Sequence, residues 1–106
     1  MPKVMNNSKV PASVTEQLAA LFRRNGYVRP PLAKRLANPG TGHFDRGFEF
    51  RLTGESRKEL WLIRRLLRQA GFKPGKAFVK GRQHRQPVYG RQNLMRFLEL
   101  IDEHNA

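Results

Sequence analysis

The sequence predicts an α+β domain. Helix, two strands, helix, two strands and helix follow in order, and the strands form one antiparallel sheet with the helices on one face. Three observations predict it. Apolar residues recur at helical spacing in two stretches that each run into a glycine, Gly26 and Gly71. Between them, Phe48-Glu-Phe-Arg-Leu-Thr53 alternates apolar and polar with the period of a strand. The passage from helix through glycine to an aromatic residue occurs twice, at Leu18–Val28 and at Leu66–Phe72, which suggests a repeated helix-plus-two-strands unit.

Taken in order, residues 1–11 read as a flexible arm carrying Lys3 and Lys9, and residues 12–104 as one domain. Ser13-Val-Thr-Glu16 has the form of a capping box, and Val14, Leu18, Leu21 and Phe22 make one apolar stripe behind it. Gly26 ends this helix as a residue free to take positive φ. Tyr27–Arg29 is a short strand interrupted by Pro30-Pro31. Leu32–Leu36 fits either a helical turn or a distorted strand, and Asn38–Gly42 is turn chemistry. In Phe48–Thr53, Phe48, Phe50 and Leu52 face the core while Glu49, Arg51 and Thr53 face outward, and Gly54 turns the chain.

Ser56-Arg-Lys-Glu59 is a second capping box. The helix behind it buries Leu60, Ile63, Leu67 and Ala70, flanked by Leu62 and Leu66, with Trp61 at the stripe's edge. Arg57, Lys58, Arg64, Arg65 and Arg68 fill its other side. Lys73-Pro-Gly75 is a turn. Lys76–Lys80 and Gln86–Tyr89 are short strands joined by a loop over Gly81–Arg85. Arg91–Glu103 is the last helix, with Leu94, Phe97, Leu98 and Ile101 inward.

Charge is the strongest compositional signal. The 106 residues hold 21 Lys and Arg against 8 Asp and Glu, a net charge of +13. Self-repulsion of that size is relieved by a polyanion, so nucleic acid is the expected partner. An anionic membrane surface or an acidic protein is the runner-up. Nothing is apolar for long enough to span a membrane. Met-Pro-Lys-Val-Met-Asn-Asn-Ser lacks the apolar core of a signal peptide, so the expected location is the cytoplasm, with access to the nucleoid. There is no cysteine and therefore no disulfide or thiolate metal site. His43, His84 and His104 show no ligand spacing.

The best binding constellation runs from Lys73 to Arg91, with Lys73, Lys76, Lys80, Arg82, Arg85 and Arg91 and no acid. Gln83, His84 and Gln86 interleave. Arginine pairs with guanine and glutamine with adenine in the major groove, which admits a two-stranded ribbon, while lysine mainly meets phosphate. Arg46, Arg51 and Thr53 extend this surface, and Arg29, Lys34 and Arg35 form a secondary basic set. The Arg57–Arg68 side of the second helix is a competing phosphate-binding surface. Tyr27, Phe44, Phe78 and Tyr89 are candidates for stacking RNA bases, or for core packing.

At Leu18–Gly26 the chain resembles the LAGLIDADG homing endonucleases, in which a motif-bearing helix leads into two strands, a helix, two strands and a helix. Leu18, Ala19, Leu21 and Gly26 match the motif, Ala20 stands for its glycine and Phe22 for its isoleucine. With the downstream elements the resemblance covers roughly residues 14–102. It implies DNA bound by the antiparallel ribbons and cleavage with a divalent metal, Mg²⁺. The family's catalytic acid, however, falls on Asn25, a neutral ligand where Mg²⁺ prefers carboxylate. Arg24 occupies a normally small position where two such helices pack about a two-fold axis, which disfavours the family's tight homodimer. Glu55 is a weak substitute acid, more readily read as a solvated turn residue.

These residues favour a double-stranded-DNA-binding domain of LAGLIDADG-like fold without nuclease activity. The alternatives are a diverged metal-dependent endonuclease and an RNA-binding or splicing-assisting protein.

Overall fold

A computed structural model describes residues 9–29 and 47–105. Its elements are α1 (Ala12–Asn25), β1 (Tyr27–Arg29), β2 (Glu49–Gly54), α2 (Arg57–Gln69), β3 (Phe78–Lys80), β4 (Gln83–Tyr89) and α3 (Arg91–Asn105). The strands form one antiparallel sheet in the order β1-β2-β4-β3. All three helices pack on this sheet and α1 also touches α2 and α3, so the architecture is α+β. Lys34, Arg35, Leu32–Leu36, Asn38–Gly42, Phe44 and Arg46 lie outside the described residues, as do Met1–Ser8.

Alternation along the strands sorts the sheet into two faces. Val28, Phe50 and Val88 share a row on the helix side, and Leu52 stands beside Gln86 in the next. The core forms against this side from Val14, Leu18, Ala19 and Leu21 of α1, Ile63, Leu66 and Leu67 of α2, and Leu94, Phe97, Leu100 and Ile101 of α3. Its centre is aromatic. Phe50 stacks on Phe97 with centroids 3.9 Å apart, and Phe22 and Phe72 meet Phe97 edge-on. Sheet, α1, α3 and Phe72, just beyond α2, thus converge on one ring cluster.

Several local expectations are corrected. α1 begins one residue before Ser13: the Pro11 carbonyl accepts from the Val14 and Thr15 amides, and no side chain caps the helix. Val10 belongs to the core, so the arm does not extend to residue 11. Gly26 sits at φ −72° and is not left-handed. It is required for another reason, since a Cβ there would lie 2.2 Å from the Phe22 ring. Gly71 does take positive φ, at 86°. Gly54 lies inside β2. Inward-facing Leu100 takes the place expected for Leu98, which is exposed. The second capping box forms at Ser56, whose Oγ accepts from the Glu59 amide, but the Glu59 carboxylate reaches back to the amide of Glu55. The loop between β3 and β4 is only Gly81-Arg82, with Gly81 at φ 64°. Gln83, His84 and Arg85 are therefore strand residues, and Lys76 lies before β3.

Candidate nucleic-acid interface

The face turned away from the helices is built in rows. Tyr27, Arg51 and Pro87 stand side by side, as do Arg29, Glu49 and Tyr89, then Thr53, Arg85 and Phe78, then Gln83 and Lys80. Its middle is an ionic cluster roofed by rings. Arg51 Nε donates to Glu49 at 2.7 Å, and Arg29 approaches the same carboxylate at 3.6 Å. The Arg51 guanidinium lies 5.1 Å from the Tyr27 centroid and 5.2 Å from that of Phe78. The Glu49 hydrogen bond raises the Arg51 pKa. Glu49, buried at 4% exposure, is thereby screened by two cations.

Toward the β3–β4 turn, Arg85 donates to Gln83 at 3.2 Å while its Nε is buried with no partner. Lys80 and Arg82 are exposed at the turn itself, and Lys73 and Lys76 are exposed on the approach to β3. Tyr27, Phe78 and Tyr89 are also exposed on this face. The charges of this surface were expected, and of the two places open to Tyr27, Phe78 and Tyr89, a stacking surface or the core, the structure leaves these rings exposed on this face. The rings follow from the same alternation, because Tyr27 pairs with Arg51 and not with Phe50.

Three expected contact residues are not available on this face. Gln86 is fully buried on the helix side. Its Oε1 accepts from Arg64 at 2.6 Å and its Nε2 donates to the Gly75 and Pro87 carbonyls, so it cannot reach a base. The same contacts, with a bond from Arg64 to the Gly75 carbonyl, take Arg64 out of the α2 charge array. His84 pairs with Gly54 and Val79 and points to the helix side, where it lines a groove with Trp61. Thr53 is on the open face but buried, its hydroxyl donating to the Asn25 carbonyl at 3.2 Å.

The end of α1 forms a second cluster. Arg24 holds Glu59 through both terminal nitrogens and donates to the Thr53 carbonyl. The Arg24 hydrogen bond, with the Glu55 amide second, holds the Glu59 carboxyl below the usual range. Next to it, the side-chain amides of Asn25 and Gln83 both donate to Glu55, at 3.2 and 3.4 Å. Glu55 is thus an oriented, exposed carboxylate and not an isolated turn residue. No group of three or more His, Asp or Glu residues suited to a metal occurs among the described residues. One carboxylate receiving two amide donors does not fit Mg²⁺, which is held by carboxylates and water.

No family model, curated protein or solved structure matches the chain.

Proposed function

We propose that the chain is a double-stranded-DNA-binding domain that uses the open face of its sheet, on a LAGLIDADG-like scaffold without nuclease activity. The observation that carries this reading is the distribution of charge on that face. Its one strand-borne acid, Glu49, is buried and ion-paired, while Lys80 and Arg82 project beside Arg85 from a hairpin without acids. An antiparallel ribbon is of the size that the major groove admits. The cluster at Asn25 and Glu55 supports binding over cleavage, since it offers amide donors where a metal needs anionic ligands.

The exposed rings of Tyr27, Phe78 and Tyr89 favour a second reading, in which the same face stacks the unpaired bases of RNA. One titration separates the readings: labelled duplex DNA, single-stranded DNA and duplex and single-stranded RNA, at two salt concentrations, with and without Mg²⁺. Tightest binding to duplex DNA with a steep salt dependence, and intact DNA after incubation with Mg²⁺, is the expected result. Preference for single-stranded RNA supports the second reading, and Mg²⁺-dependent cutting overturns the absence of nuclease activity.

A further inference from the structure

Trp61, the chain's single tryptophan, is 67% exposed on the outer side of α2. It forms the ridge between two shallow grooves. One, of about 770 Å³, runs along α2 past Lys58, Leu62, Arg65 and Arg68. The other, of about 320 Å³, passes Arg57 and His84 to Phe78 and Val79 on the edge strand β3. A large apolar ring left in water is costly, and so is a concentration of cations around it. Arg57 and Lys58 add a further cost, because they stand at the N-terminal end of α2, where the helix dipole is already positive. Glu59, the acid among the groove residues, is already paired with Arg24. A planar ring carried on a chain of phosphates offsets all three costs together.

We propose that the outer side of α2 binds an unpaired stretch of DNA, with one base stacked on Trp61 and the neighbouring phosphates on Arg57, Lys58, Arg65 and Arg68. The choice of DNA rests on the duplex reading above and on continuity. The smaller groove leads from Trp61 to Phe78, whose ring also stands over Arg51 on the open face of the sheet. A strand leaving a duplex on that face reaches Trp61 by crossing β3. The domain would then recognise a junction between paired and unpaired DNA.

The unique tryptophan supplies its own readout. Stacking quenches indole emission, so the full-length protein is titrated with a short oligothymidylate while Trp61 fluorescence is followed. The expected result is saturable quenching that weakens with salt, and about tenfold weaker oligothymidylate binding in Trp61→Ala, read by anisotropy of the labelled oligonucleotide. Arg65→Ala with Arg68→Ala is expected to weaken the same binding with Trp61 intact. Duplex affinity remains within about twofold in all these variants. Absence of quenching by bound oligothymidylate overturns the proposal, and so does an equal loss of duplex binding in Trp61→Ala. Tighter binding of oligouridylate than of oligothymidylate overturns the assignment to DNA. If duplex DNA fails to bind while quenching persists, the open-face reading fails and the α2 site stands.

Discussion

Arg24 grips Glu59 with both terminal nitrogens, at 2.5 and 3.1 Å, and so fastens the end of α1 to the start of α2. The same guanidinium donates to the Thr53 carbonyl at the end of β2. One side chain thus joins three elements.

This pair makes stability depend on acid. The folded-state pKa of Glu59 lies below its unfolded value, chiefly through Arg24. Its contribution is therefore complete above the ordinary glutamate range, about pH 4.3, and is lost as pH falls through the depressed value. Both side chains are partly solvated, so about 0.5 kcal/mol is expected after screening. Urea denaturation of Glu59→Gln should show that deficit at neutral pH and a shallower decline below pH of about 4.

Gln86 is a structural residue by its contacts. Gln86→Ala removes the buried bonds that its side-chain amide makes with Arg64 and with the Gly75 and Pro87 carbonyls, while the bond from Arg64 to the Gly75 carbonyl remains, and is expected to destabilise the domain by about 2 kcal/mol. Duplex affinity of the remaining folded protein should stay unchanged. A normal denaturation midpoint with lost DNA binding would return Gln86 to the interface.

Lys80 and Arg82 belong to the exposed hairpin tip. Alanine at either position should weaken duplex binding and reduce the slope of log affinity against log salt by about one. Arg82→Ala and Arg85→Ala should each weaken duplex binding more than Arg65→Ala, which removes an exposed cation of α2. The opposite order would move duplex binding to α2.

Gly26 and Gly81 are required for different reasons, and alanine separates them. At Gly26 the added methyl meets the Phe22 ring in the packed layer, with an expected cost of about 2 kcal/mol. At Gly81 there is open space, and the cost of about 1 kcal/mol comes from φ 64° alone. Gly81→Asn should recover most of the second loss, and Gly26→Asn none of the first. Thermal denaturation of the four variants tests this.

The element order and the sheet's two faces were legible because period and alternation are local properties. Phe48–Thr53 needs only its own letters to show which residues face the helices, although Glu49 and Thr53 on the other face are buried as well. Gln86 was misread because its surroundings are basic and polar in sequence, whereas its partners, Arg64 and Gly75, come from a helix and a turn. Its parity with Val88, two residues on, was the available signal. Trp61 was expected at the edge of the core because tryptophan is seldom left so exposed, and its neighbours Leu60 and Leu62 are apolar. The cluster of Asn25, Glu55 and Gln83 joins the end of α1, the loop after β2 and the start of β4, so no spacing in the chain could announce it.

The two-residue turn at Gly81-Arg82 has a consequence for how the chain tolerates change. It fixes which members of β4 are odd and which are even. Inserting one residue there, with the two-residue turn kept so that β4 slips by one against β3, would exchange the fates of Arg85 and Gln86, sending a guanidinium into the core and an amide into solvent. Inserting two would preserve both. Length variation in this hairpin is therefore expected to come in steps of two, a quantised tolerance set by the pleat and not by the chemistry of the inserted residues.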